Sequence, residues 1–267
     1  MKIRATICIF LMLGFWVLAD TLPREQLALL FTQANDAFRK ANTTPESQQR
    51  DLLYQQAILD YQKIINEGGI KNAKLYYNIA NAYFLKGDIA RAILNYRRAE
   101  KLDGGDANIL KNLTFARSRR VDEIETKTKE RILHTLFFWH YDFSLKTRFL
   151  FSCIFFGALC LVLTLMLWAG RRALATSVAV ITAVLLVCLA ASVLVGAAAE
   201  VRTISGVITA PQIVARQGDG QNYPPSFKDP LHEGTEFDLL EQRPLWYHIR
   251  LGDSSDAWIP RNAAELI

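Results

Sequence analysis

Two long uncharged apolar runs, residues 149–169 and 173–199, constrain this chain more than any other feature. A helix rises about 1.5 Å per residue, so the shorter run already gives roughly 31 Å, enough to cross a hydrocarbon core. Both runs therefore read as transmembrane helices, and the longer one should tilt or project slightly from the bilayer. The alternative, a buried helical hairpin inside a soluble domain, fails because no other part of the chain is large enough to wrap it. The runs also explain an overall composition of 51% hydrophobic and 21% charged residues.

Only Gly170-Arg171-Arg172 separates the two runs. Two arginines in so tight a turn favour the cytoplasmic side by the positive-inside bias. The N-terminus agrees: Lys2 and Arg4, an apolar stretch from Ile7 to Leu18 and the small Ala19 form a secretory signal, residues 1–19. An uncleaved anchor is the alternative, and either form exports the segment that follows. Residues 20–148 and 200–267 then face the periplasm, although Lys146 and Arg148 on the outer flank run against the charge bias. Cys153, Cys160 and Cys188 all lie in the two spans, so the soluble parts must fold without disulfides. Ala190 to Ala198, rich in small residues, offers the second span a close helix–helix contact.

Residues 20–130 carry helical periodicity. Tyr76, Ile79, Ala80 and Tyr83 fall on one face of a first helix, and Ala92, Tyr96 and Ala99 form the stripe of a second, with Gly87-Asp88 between them. In register over residues 73–106, this pattern resembles a tetratricopeptide repeat, with Gly104 where the family's closing proline stands. A degraded copy spans residues 28–70, marked by Phe31, Ala34, Asn35, Phe38, Ala57 and Tyr61. Phe31 precedes Tyr76 by 45 residues, whereas Ala57 precedes Ala92 by 35, which predicts an inserted loop around Asn42-Thr43-Thr44-Pro45-Glu46. Residues 107–122 read as a polar, solvating cap helix. The resemblance implies a concave groove faced by Tyr77, Asn81, Phe84, Lys111 and Phe115, serving a peptide or neighbouring helix or merely packing the next helix. Asn81 with Lys111 resembles part of the carboxylate clamp of some such proteins, but the other clamp positions are not basic.

The linker 131–148 is densely aromatic and suits the membrane interface. Its His134 and His140 stand six apart, so one helical face cannot present both to a metal. Residues 203–267 change character: five short Val/Ile-rich runs alternate with Gly, Pro, Asp and Ser, the pattern of a small all-β barrel. His232-Glu233-Gly234-Thr235 and Trp258-Ile259-Pro260 resemble pieces of the bacterial SH3 domain. Strand alternation places Tyr247, Ile249 and Leu251 on one face and Trp246, His248 and Arg250 on the other, with Trp258 opposite Ala257 and Ile259. Tyr223, Trp246, His248 and Trp258 are the candidate ligand face for a peptide or peptidoglycan, or else the tryptophans simply close the barrel.

No phosphate loop, nucleophile elbow or His-Glu-x-x-His is present, and the four histidines form no recognisable triad. Enzymatic activity, a cofactor and a metal are not expected, and a net charge of +5 spread over several regions does not point to nucleic acid. Signal, helical repeats, two spans and a β-barrel together resemble the BatE-type proteins of bacterial aerotolerance operons, most sharply over residues 71–122. That resemblance implies an inner-membrane complex with von Willebrand factor A domain proteins and a MoxR-type AAA ATPase. The expected role is a non-enzymatic scaffold, with a peptidoglycan-binding sensor as the alternative.

Overall fold

A computed structural model describes residues 22–122, 136–141, 143–169, 173–202 and 204–267. The signal segment, the Gly170-Arg171-Arg172 turn and residues 131–135 of the aromatic linker lie outside the described residues. Five helices come first: α1 (Arg24–Thr43), α2 (Ser47–Asn66), α3 (Ala73–Lys86), α4 (Ile89–Leu102) and α5 (Ala107–Arg117). A one-turn α6 (Phe138–Tyr141) precedes two long apolar helices, α7 (Leu145–Ala169) and α8 (Ala173–Arg202). Seven strands follow: β1 (Ile204–Ile208), β2 (Gln212–Ile213), β3 (Leu231–His232), β4 (Glu236–Gln242), β5 (Trp246–Arg250), β6 (Asp256–Pro260) and β7 (Ala264–Leu266).

Sequence-adjacent helices in the stack pack antiparallel around small residues. Ala34, Ala41, Ala57, Ala80, Ala82, Ala92, Ala99 and Ala116 are all fully covered, which lets the axes approach, while Tyr54, Tyr61 and Tyr96 fill the space between them. Helix starts are capped by Asn72, Asp88 and Asp106, each accepting from a backbone N–H of its first turn. Gly87 ends α3 in the left-handed region at φ 91°, where a side chain would be strained.

The inserted loop expected after α1 is not there. α1 continues to Thr43 and α2 starts at Ser47, so only Thr44, Pro45 and Glu46 connect them. The extra residues lengthen both helices to 20 residues, against 14 in α3 and α4. Asn42 stays helical because Ala41 beside it is buried and its Oδ1 accepts from Tyr54 Oη at 2.8 Å.

α7 and α8 form a hairpin whose candidate spans are Leu145–Trp168 and Ala175–Ala198. Length and apolar composition make both competent to cross a membrane. Along α8, Ala179, Thr182, Leu189 and Ser192 are covered, while Val187, Leu194 and Val195 point outward, as expected for a lipid-facing surface. Arg148, which ran against the charge bias, is buried and donates from Nη1 to the Ser192 carbonyl and hydroxyl, both at 3.0 Å. Gly196 makes room, since a Cβ there would lie 2.9 Å from Arg148 Nη2. Part of the small-residue stretch is thus used within the hairpin itself.

The β unit is an antiparallel five-stranded sheet of order β6-β5-β4-β1-β7 with a separate β2-β3 ribbon. Its inner face buries Ile208, Phe237, Tyr247, Ile249, Leu251, Ala257 and Ile259, the parity read from the sequence. Seven short strands replace the five expected, because Leu231–His232 and Ala264–Leu266 pair without a long apolar run of their own.

The stack and the sheet are joined. Val207 on β1 belongs to the helical core, and Ile267 packs against it. α5 itself faces solvent at Asn108, Leu110, Lys111, Thr114 and Phe115, and only its end and the residues after it, Arg117, Arg120 and Asp122, lie against the sheet.

Candidate binding surfaces

The first helices of the stack share a polar and aromatic face with an internal repeat. Tyr61 on α2 donates to Asn35 on α1 at 2.7 Å, and Asn78 on α3 donates to the same hydroxyl at 3.4 Å. One pair further on, Tyr96 on α4 donates to Asn81 on α3 at 2.6 Å, and Asn112 on α5 donates to Asn81 at 3.1 Å and to Tyr77 at 2.9 Å. Tyr61 thus bonds both its own hairpin and the next helix, whereas in the second pair Asn81 and Tyr77 carry the link to α5. Burial pushes the Tyr61 hydroxyl up to about 12, against smaller opposing effects of Asn78 and Arg39, and burial likewise raises Tyr96. Equivalence of Asn35 with Asn81 also corrects the repeat register: Phe31 matches Tyr77 rather than Tyr76, and Phe38 matches Phe84.

Of the residues proposed for the groove, Asn81 is committed to this network through its carbonyl oxygen. Tyr77 and Phe84 are half-buried against the core, Tyr77 meeting Tyr96 at 5.9 Å between ring centroids. Phe84 meets Phe115 at 5.4 Å, and Phe115 remains 50% exposed with the Arg119 guanidinium 5.0 Å from its ring centre. Lys111 is exposed on the same helix. On α1, Phe31 is 42% exposed and meets Tyr61 edge-on. In helix order, Phe31 and Phe38 on α1, Tyr77 and Phe84 on α3 and Phe115 on α5 make an aromatic row whose first and last members are exposed and whose middle members are half-buried.

On the sheet, Trp246, His248 and Trp258 share the outer face as alternation predicts. His248 stands opposite Trp258 across β5 and β6, and their rings stack 4.6 Å apart at 3°. The Arg243 guanidinium also lies over Trp258, 4.5 Å from its centre, and is fixed by Asp219 and Glu241. Trp258 is left 9% exposed, so its ring is largely spoken for within the chain. Tyr223 is half-exposed and lies against Gly218, where a Cβ would come within 2.6 Å of its ring. Trp246 instead turns towards a separate crevice of about 780 Å³, beside Pro244, Leu245, Pro260 and Arg261.

The most charged place in the described residues is the stack–sheet contact. Glu236, at the start of β4, accepts two hydrogen bonds from Arg117 at 2.7 Å each and one from Arg120 at 3.1 Å, with Arg97 at 3.2 Å. Burial pushes its carboxyl up, but the hydrogen bonds and charge of Arg117, with Arg97 and Arg120, outweigh burial and hold it below the usual glutamate value. Asp122 reaches the same turn, accepting from the His232 amide at 2.6 Å and the Thr235 hydroxyl at 2.7 Å, with His232 Nδ1 at 2.7 Å. Those bonds likewise overcome burial and lower its carboxyl. Gly234, at φ +84°, completes the turn, and a Cβ there would lie 3.1 Å from Arg120 Cγ and 3.3 Å from Ile93 Cδ1. The segment His232-Glu233-Gly234-Thr235 is thus a docking turn.

None of Glu236, Arg97, Arg117, Arg120 and Asp122 was singled out from the sequence. They meet across more than a hundred residues, and no local spacing reports that. The asparagines carried a weak signal: Asn112 follows Asn78 by 34 residues. Among the described residues no group of three or more His, Cys, Asp or Glu side chains is placed to hold a metal ion. No family model matches this sequence, and no curated protein does either.

Proposed function

We propose that this chain is a non-enzymatic scaffold of the bacterial inner membrane, whose helical stack holds a protein partner on the face of its first helices. The observation that carries the reading is the aromatic row from Phe31 to Phe115. Its middle is packed, its ends are exposed, and Lys111 and Arg119 flank one end. Exposed aromatics beside cations on a rigid helical support are the composition of a binding hot spot. Tetratricopeptide identity for the stack is supported by the repeated bonds of Tyr61 to Asn35 and Tyr96 to Asn81 and by α3-α4 followed, 34 residues on, by α5. An SH3-like identity for the sheet rests on its short antiparallel strands and the docking turn.

The hairpin anchors stack and sheet on one side of the bilayer, the periplasmic side if Arg171 and Arg172 remain in the cytoplasm. By resemblance to BatE-type proteins, the partners are membrane proteins with von Willebrand factor A domains that work with a MoxR-type AAA ATPase, in aerotolerance or envelope stress. Crosslinking in intact cells tests the docking face. Phe115→Ala with Phe31→Ala should lose the partner that wild type captures, and capture of the same partner at the same yield would refute it.

A second reading, a peptidoglycan-binding sensor, is favoured by the crevice beside Trp246, whose neighbour Leu245 is 74% exposed. Co-sedimentation of the detergent-solubilised full chain with purified sacculi should then depend on Trp246. Failure to sediment would remove this reading and leave the scaffold intact.

A further inference from the structure

A second crevice, of about 960 Å³, opens between α2, α3, α4 and the end of β7. Its floor is Ile65, Tyr76, Ile79 and Ile267, and its mouth carries Lys71, Arg98 and Lys101. Among the described residues no acidic side chain lines it. Arg98 is fixed in place, donating to the Leu266 carbonyl at 2.7 Å with Glu265 3.9 Å away. Lys71 and Lys101 are exposed and have no ion-pair partner among the described residues.

The position of this mouth is set by the alternation of the helices. α2 ends at Asn66, α3 begins at Ala73, α4 ends at Leu102 and α5 begins at Ala107, so these termini lie at one end of the stack. That end touches the entrance to the hairpin. Lys146 Nζ donates to the Leu102 carbonyl at 3.4 Å, and a Cβ at Gly104 would lie 4.0 Å from Ser144 Cβ. Ser144 immediately precedes α7, which begins the first candidate span. A backbone that touches the residues on either side of a span's first residue stands at headgroup level. Lys101 and Leu102 are part of that backbone, and exposed Ile70 and Lys71 sit beside them at the same end.

We propose that this crevice holds the phosphate headgroup of an anionic phospholipid from the leaflet that the hairpin enters, with Lys71 and Lys101 as its charge contacts and Arg98 as the fixed cation behind them. Cations at headgroup level attract anionic lipid, and the apolar floor and exposed Ile70 and Leu102 suit the upper part of the glycerol and acyl region. The inference rests on α7 and α8 spanning the membrane and is independent of the aromatic row and its partner.

Native mass spectrometry of the full chain in detergent, titrated with phosphatidylglycerol or phosphatidylcholine, tests it. Phosphatidylglycerol should bind in preference, and the Lys71→Met/Lys101→Met variant should bind it about thirty-fold more weakly. Lys71→Arg/Lys101→Arg should restore binding. Both lysines are exposed, so the methionine variant should unfold at the wild-type temperature, which is checked alongside. Equal binding of the two lipids, unchanged binding by the methionine variant, or a thermally destabilised variant that arginine does not rescue would overturn the proposal. Displacement of the lipid by inorganic phosphate at equal concentration would replace the lipid with free phosphate as the source and overturn it too. A chain recovered outside the membrane fraction would overturn both this inference and the spans on which it rests.

Discussion

Within the helical stack the buried tyrosine–asparagine contacts that join helices are neutral: Tyr61 binds Asn35 and Asn78, and Tyr96 binds Asn81, which Asn112 joins in turn. Between stack and sheet the contacts are charged, with three arginines on Glu236 and a carboxylate, Asp122, on the His232–Thr235 turn. Neutral hydrogen bonds contribute modestly but do not depend on salt or on neutral-range pH. Charged, partly buried pairs become costly as soon as one partner is missing. The stack is therefore built to persist, and the joint to the sheet can be opened by chemistry that leaves the stack intact. Tryptophan fluorescence makes this measurable once Trp139 and Trp168 of the linker and hairpin and Trp16 are replaced by phenylalanine, because residues 22–122 contain no tryptophan while the sheet holds Trp246 and Trp258.

Glu236→Ala should have the largest effect. It leaves Arg97, Arg117 and Arg120 crowded together without their counter-charge, a loss of about 3 kcal/mol at the joint. Sheet tryptophan fluorescence and helical circular dichroism should change together on urea unfolding of the wild type and separate in the variant. Coincident transitions in both would mean that the joint does not couple the two parts.

Acid should act on the same joint more weakly, because protonated Glu236 can still accept hydrogen bonds. The folded values of Glu236 and Asp122 lie below their ordinary ones. Their stabilisation is thus complete above the ordinary carboxylate range and is lost as pH falls through the depressed values. Tyr61, raised to about 12, has the opposite sign: its contribution is complete below the ordinary tyrosine value and is lost as pH rises towards 12. Acid should release the sheet first, and alkali should loosen the stack. Loss of helical signal before tryptophan signal in acid would reverse the assignment.

How much of this division was legible in the sequence depends on distance along the chain. The apolar helices, the α3-α4 pair and the in–out parity of β5 follow from spacing within a few turns or residues, so periodicity reveals them. α1 and α2 were misread in part, since added residues can lengthen two helices as well as a loop, and only the buried Ala41 and the Asn42–Tyr54 bond decide between these. The sequence leaves Tyr77, Asn81, Phe84, Lys111 and Phe115 open between a groove and packing of the next helix, and the bonds to the Asn81 oxygen show that it takes part in the packing. The charged joint left no trace, because Glu236 and Arg117 look like ordinary surface residues until the fold brings them together.

The tyrosines offer a finer test of the repeat. Tyr61→Phe and Tyr96→Phe each remove one buried hydroxyl, but Tyr61→Phe strips Asn35 of its donor and Asn78 of its acceptor, whereas after Tyr96→Phe the Asn81 oxygen keeps the bond from Asn112. The first should cost about 1 kcal/mol and the second less. The Tyr61→Phe loss should therefore exceed the Tyr96→Phe loss by roughly a few tenths of a kcal/mol on that scale. Helical circular dichroism through urea unfolding measures both. A cost confined to Tyr96 would mean that the α1-α2 pair imitates the second pair in geometry only.

Salt should have the smallest effect, and it separates the two ends of the joint. Raising ionic strength from about 0.1 M to about 1 M shortens the screening length from about 10 Å to about 3 Å. The Arg91–Glu265 pair at 3.3 Å has both side chains around two-fifths exposed and is open to that screening, whereas Glu236 is one-fifth exposed beneath its arginines. An exposed pair contributes at most about 1 kcal/mol, so salt should weaken the joint by only a few tenths. Arg91→Gln should remove most of that salt dependence, while Tyr96→Phe should leave it unchanged. A salt slope that survives Arg91→Gln would place the screened charges on Glu236 after all, and the joint would then be wetter than its buried carboxylate implies.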